Sequence, residues 1–419
     1  MTAEIDGSGH LHVGGVDLVA LAGEVGTPAF VYDEAHLRAR CQEARLAWGD
    51  GVAYATKAFL CRAMAALAHD EGLYLDVSTG GELSVALSAG VPGERLVLHG
   101  NNKSDAELRA ALDAAVGRIV VDSFDELDRI ERLACAVAHV RPPDILIRVT
   151  PGVEAHTHEF VRTGQDDSKF GFGLASGAAD EAVARARALE AVGVLRLIGV
   201  HAHIGSQIFS LGSFTAEVEA LAAWFAALGL GELCLGGGLG VAYVEGEAAP
   251  TITEWAAVAK QACRSFGVPA AARVTAEPGR SIVAVAGLTL YTVGTIKEVR
   301  GARTYVSVDG GMSDNPRPVL YGSGYEAFLP ARADAERPWP ATVVGKHCES
   351  GDVLVARSHL PAGTKVGDLL ATPVTGAYGY SMASNYNKVP RPPVVFVTGG
   401  RHRVVVRRET LDDLARLDA

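Results

Sequence analysis

The sequence predicts an α/β fold, a (β/α)₈ TIM-type barrel, followed by an all-β sandwich or barrel domain. From about residue 50 to 280, short β-like runs alternate with longer Ala-, Leu-, Glu- and Arg-rich segments of helical period, the pattern of a parallel sheet built from βα units. After about residue 285 the helical period stops, and β-rich runs separated by Gly and Pro turns replace it. The length of 419 residues, more than one hydrophobic core usually fills, agrees with two domains.

In chain order, the first 25 or so residues include "HLHVGGVDLVAL", expected to add a strand to the second domain. Barrel strands are expected at 52–55, 74–77, 96–99, 119–121, 145–149, 198–201, 233–235 and 273–276, with connecting segments long enough for helices. Such a barrel carries its chemistry at the C-terminal ends of its strands. Those ends hold Lys57, Asp76 with Ser78, "HGNN" (99–102), Asp122, Arg148, "HAHIGS" (201–206), "GGGLG" (236–240) and "EPGR" (277–280). A doubly wound sheet is the alternative, and the gathering of polar residues at one end favours the barrel. The second domain is read from "GLTLYTVGTIKEV", "TYVSVDGG", "ATVVGKHC", "DVLVARSHL", "GDLLATPVTG" and "PVVFVTGGRHRVVVRRE", with a closing amphipathic helix in "ETLDDLARLDA". The boundaries expected are 27–285 for the barrel, and 1–26 with 286–419 for the β-rich domain.

Composition excludes several classes. A formal charge of -11 with no long basic run disfavours nucleic acid and anionic membrane as partners. The start of the chain lacks a positive segment followed by an apolar one, and the most apolar stretch, 281–296, is short and broken by Gly and Thr. A cytoplasmic protein is expected. The six cysteines lie far apart without a CxxC pair, so neither zinc nor a disulfide framework is suggested.

In a barrel, the loops after strands seven and eight commonly bind phosphate through backbone N–H groups, and here they are "GGGLG" and "EPGR". Gly237, Gly238 and Gly279 let an anion approach closely, and Ser206 adds a hydroxyl. Lys57 ends the first strand at the same mouth. An amine beside a phosphorylated ligand suits an aldehyde cofactor held as a Schiff base, which points to pyridoxal 5'-phosphate. Glu277 then keeps the pyridine nitrogen protonated, and the imidazole of His203 stacks on the ring, while His201 is read as structural. Asp76 joins the cofactor-facing set. The rival reading of "HAHIGS" is a metal-binding HxH pair, for which Asp76 and Asp122 are available, but no further strand-end histidine is well placed to complete it, so no metal is assigned.

"YATKAF", "HAHIGSQ", "GGGLG", "EPGR", "MSDNPRPVLYG", "CESGD" and "GAYGYSMASNYN" occur in an order and spacing that resembles the diaminopimelate decarboxylases, fold-type III pyridoxal-phosphate enzymes. The resemblance runs from about residue 27 to 387; Thr56 departs from the serine expected before the lysine. It implies that Lys57 binds the cofactor covalently, that Gly238 and the "EPGR" backbone hold the phosphate with help from Tyr378, and that Cys348 is the proton donor. It also implies a homodimer with active sites at the subunit interface, where "CESGD" of one chain reaches the site of the other and the β-rich domain completes it.

A carboxylate rather than an arginine at the pyridine nitrogen favours decarboxylation over racemisation. Arg280 and Arg317, with Tyr321 four residues beyond Arg317 and Tyr378, are candidates for the substrate's far carboxylate, and Glu349 for an ammonium. A substrate with an amino-acid centre at each end fits, as in meso-2,6-diaminopimelate converted to L-lysine and carbon dioxide. The alternatives are a decarboxylase of another carboxylated diamino acid and a non-catalytic pyridoxal-phosphate carrier, with a metal-dependent hydrolase as outsider.

Overall fold

A computed structural model of the protein describes residues 1–136, 141–153 and 168–419. The chain divides into two compact units, one of Cys41–Val241 with Ala249–Ser281 and one of Met1–Arg40, Ala242–Ala248 and Ile282–Ala419.

The first unit is the barrel. Eight parallel strands follow each other in sheet order: Ala53–Ala55, Tyr74–Val77, Leu96–Leu98, Arg118–Val121, Asp144–Thr150, Arg196–Ala202, Glu232–Cys234 and Arg273–Thr275. The ends of this sheet close on each other, because Ala53 N donates to Ala276 O and Ala55 N to Pro278 O. Its interior is filled by alternate side chains, Ala53, Val97, Val120, Leu146 and Cys234, flanked by Tyr74 and Ile198. Helices begin where the sequence supplies caps: Thr79 and Ser104 each accept from the third helical N–H, and Glu107 completes a capping box at Ser104. The helix Leu211–Leu228 has the length and apolarity of a bilayer span, but it buries Phe214 against Trp255 of Ile252–Ser265 at 5.1 Å between rings.

The second unit is built on an eight-stranded sheet around one long strand, Gly287–Val299. Its first half pairs antiparallel with Ala29–Asp33 and Leu369–Pro373, and its second half with Arg303–Val308. The strand in "TPAFVYD" therefore belongs to this unit and not to the barrel, which corrects the boundary expected at residue 27. All five of its residues are buried, with Val31 packed on Leu288, Leu290 and Val395. The segment "HLHVGGVDLVAL" contributes strands to this unit, in a three-stranded sheet of its own. Gly14 and Gly15, both at positive φ, turn it into a hairpin of Leu11–Val13 and Val16–Asp17, whose strand partner among the described residues is Ala3–Ile5. Asp17 then caps the helix Leu18–Val25 by accepting from Val19 N.

Candidate active site

Lys57 sits in the single helical turn Thr56–Ala58 directly after the first barrel strand. Its neighbours from Val52 to Phe59 are buried while Lys57 itself is exposed, so the backbone is gripped and the amine is left accessible. The Thr56 hydroxyl donates to Asp76 O at 2.7 Å, which ties the turn to the second strand. The lysine charge bears on two buried groups. Burial pushes the Asp76 carboxyl up to about 6, against the pull of His99 and Lys57. Burial, then Lys57 and Arg148, push His203 well below the ordinary imidazole value.

Glu277 follows the last strand and is buried. His99 Nε2 meets one of its oxygens at 2.9 Å and His201 Nε2 the other at 3.0 Å. Burial alone would raise this carboxyl; the two imidazoles outweigh it and hold Glu277 well below the usual carboxylate range. His201 is thus tied to Glu277, and burial lowers it to about 4. His203 takes a different partner, its Nδ1 accepting from Gly237 N at 3.2 Å, so the two histidines do not form the pair the metal reading requires. The histidine beside Glu277 and His201 is instead His99, the first residue of the strand-end "HGNN", to which the sequence reading gave no role. These three residues have donor atoms within 4.8 Å, but the hydrogen bonds already engage both carboxylate oxygens.

The loops after the seventh and eighth strands lie side by side, Glu277 N donating to Gly236 O at 2.6 Å. Gly238 has φ 109°, and a Cβ there would lie 2.3 Å from Gly205 O; one on Gly279 would lie 2.9 Å from the Ala55 Cβ. Arg280 Nη2 donates to Ser206 Oγ at 3.0 Å, joining the loops after the sixth and eighth strands. These features fit pyridoxal phosphate: side-chain-free backbone in the loops where a barrel binds phosphate, an accessible amine, and an Asp76 Oδ1 that is buried without a hydrogen-bond partner.

The second unit carries the other predicted residues. Arg317 opens the short helix Arg317–Tyr321 and is 5% exposed. Its Nη1 donates to Tyr325 Oη at 2.8 Å, and its guanidinium lies 4.3 Å from the centre of the Tyr243 ring. Among the described residues no carboxylate pairs with it, which is uncommon for a buried arginine. Tyr321 is half-buried nearby in sequence, but Tyr325 and Tyr243, which the sequence reading missed, hold Arg317. "YGSGYEAF" contained the signal, a second tyrosine four residues after the first.

Cys348 and Glu349 are exposed on a tight turn. Asp352 folds beneath them, one oxygen accepting from Met312 N at 2.6 Å and the other from His347 N at 2.9 Å. His347 Nε2 contacts Ser313 Oγ at 2.8 Å, and Cys348 N donates to Asn387 Oδ1 at 3.0 Å. "CESGD", "MSDN" and "NYN" are therefore joined in one loop cluster. Tyr378 is half-buried with φ 63°, a left-handed backbone that a tyrosine adopts only where its surroundings impose it.

Comparison with known proteins agrees with this geometry. Residues 34–284 match the family described as pyridoxal-dependent decarboxylase, pyridoxal binding domain. The diaminopimelate decarboxylase of Halalkalibacterium halodurans is 48% identical, the alignment covering 100% of this chain and 97% of that one; the Bacillus subtilis enzyme of the same name is 48% identical over 98% and 95%. The crystal structure of diaminopimelate decarboxylase from M. jannaschii in complex with L-lysine is similar with a TM-score of 0.92 at 30% identity, covering 100% of this chain and 97% of that one. By family match, full-length identity and fold, the chain belongs to the diaminopimelate decarboxylases of the pyridoxal-dependent decarboxylase family.

Proposed function

We propose that this protein is a pyridoxal-phosphate-dependent carboxy-lyase converting meso-2,6-diaminopimelate to L-lysine and carbon dioxide, acting in the cytoplasm as a homodimer with shared active sites. The observation that carries the reading is Glu277, a buried carboxylate kept ionised by two imidazoles at the end of the last barrel strand. Bound at this mouth, the cofactor supplies an electron-accepting ring whose nitrogen must stay protonated for carboxylate loss.

Lys57 supplies the amine that anchors the cofactor, His203 stacks on its ring, and Gly237, Gly238, Gly279, Ser206 and Arg280 hold its phosphate, with Tyr378 assisting. The bond from Arg280 to Ser206 draws this arginine to the phosphate loops, leaving Arg317 to recognise the substrate's far carboxylate. A buried guanidinium with one N–H on Tyr325 and no carboxylate among the described residues keeps donors for a carboxylate fork. Glu349 takes the far ammonium, Tyr321 adds a hydroxyl, and Cys348 of the second subunit returns a proton to the carbon that lost carbon dioxide. Ornithine and lysine lack the far carboxylate and would leave Arg317 unmatched.

The purified protein, supplied with pyridoxal phosphate, should release lysine and carbon dioxide in equal amounts from meso-diaminopimelate. It should release no carbon dioxide from ornithine or lysine. Turnover of those amino acids with none of diaminopimelate would overturn the proposed substrate.

A further inference from the structure

Glu277 is neutralised without arginine or lysine: among the described residues its ion-pair partners are His99 and His201 alone. The two rings stand edge to face, centroids 4.9 Å apart at 72°, so each restricts rotation of the other. Both Nε2 atoms must carry hydrogen to serve a carboxylate. For His201 this makes a neutral donor, since its Nδ1 is buried without a hydrogen-bond partner. His99 is placed differently. Its Nε2 bonds Glu277 and also lies 3.7 Å from the buried Asp76 Oδ1, so one imidazole faces two carboxyl groups.

The backbone around His99 is built to hold it there. His99 N donates to Val77 O, and Gly100, at φ 115°, passes so close to the second strand that a Cβ would meet Ser78 O at 2.8 Å. Three residues on, the buried Lys103 ammonium donates to Gly100 O at 2.7 Å, Val120 O at 2.6 Å and Glu126 Oε1 at 2.7 Å. This buried cation has no reach to substrate in its own contacts; it locks the loop that begins with His99.

We propose that His99 is a positioning residue for the decarboxylation, the charged half of a two-histidine clamp that aims Glu277 and keeps it anionic in a buried site. The groups facing it are Asp76 on the second strand, Arg148 on the fifth, His201 on the sixth and Glu277 after the eighth. Burial and Arg148 oppose its charge, Asp76 and Glu277 favour it, and the carboxylates prevail, raising His99 above the ordinary imidazole value. The proposal rests on Glu277 serving the cofactor nitrogen.

The test is infrared difference spectroscopy of full-length protein labelled with 13C at glutamate carboxyls, with and without cofactor, using E277Q to assign the Glu277 band. Wild type should show Glu277 ionised from pH 5 to 8. H99F should show it protonated at pH 7, with kcat lowered at least about tenfold and KM within about twofold of wild type. H99Q, which keeps a donor but no charge, should titrate between the two. An ionised Glu277 at pH 7 in H99F, or a kcat within twofold of wild type, overturns the proposal. Should H99F not fold, H99Q decides alone, a midpoint equal to wild type being the overturning result. If wild type fails to decarboxylate diaminopimelate, the proposed substrate falls while the infrared result still judges the clamp.

Discussion

At the scale of single residues, the proposed chemistry rests on groups whose surroundings are settled by a few contacts each. Lys57 is one: an accessible amine on a buried turn, its charge bearing on Asp76 and His203. K57A should lose both the visible absorbance of the bound cofactor and decarboxylation; retention of full activity would falsify its role. Arg317 is another. Replacing Tyr325 by Phe removes a hydrogen bond to a buried guanidinium, a loss of about 1–2 kcal/mol. Y325F should raise KM for diaminopimelate about tenfold with little change in kcat, and an unaltered KM would show that the tyrosine is no part of substrate recognition. Lys57, Glu277 and Arg317 were legible as residues because a lysine, a carboxylate and an arginine stand out beside apolar strands and glycine turns. Tyr243 was not, since a tyrosine in a loop looks the same whether it faces solvent or a guanidinium.

At the scale of elements, the turn carrying Cys348 depends on what lies under it. Asp352 satisfies two backbone N–H groups, so D352A leaves both unpaired at about 3 kcal/mol and frees the turn. The expected outcome is a lower Tm together with a fall in kcat similar to that of C348A, measured with cofactor binding intact. A D352A protein as active as wild type would mean that the turn does not need this anchor. A neighbouring aspartate sets a pH dependence. Burial pushes Asp314 up to about 7 from an ordinary 3.8, although Tyr291 Oη at 2.5 Å and Gly311 N at 2.8 Å oppose the shift. The folded chain then holds a proton that the unfolded chain releases. Its contribution to stability is complete below the ordinary value and is lost as pH rises through about 7. D314N should flatten the decline of Tm between pH 5 and 8; a slope equal to wild type would place the titration elsewhere. The elements themselves were largely visible in the pattern, with all eight barrel strands within a residue or two of where alternation placed them. The strand Ala29–Asp33 was not named as a strand and fell inside the barrel's expected bounds, because nothing in five apolar-rich residues says which sheet they pair with.

At the scale of the whole molecule, the proposed dimer makes a sharp expectation. K57A and C348A protomers, mixed and allowed to exchange, should regain roughly a quarter of wild-type activity, half the dimers being mixed and each holding one intact site of two. No recovery after verified exchange would place Cys348 and Lys57 of one chain in the same site and remove the sharing.

The sequence by itself determined the class of fold, the cofactor chemistry and the family, because strand alternation, glycine loops and an ordered set of motifs are properties of the chain read in line. Only the tertiary structure decided which histidine grips Glu277, which tyrosines hold Arg317, and which sheet takes Ala29–Asp33. Apart from Arg317 and Tyr325, eight positions apart, those are pairings between residues tens to hundreds of positions apart. They are settled by strand register and by the need of every buried polar group for a partner, and neither is expressed in local composition.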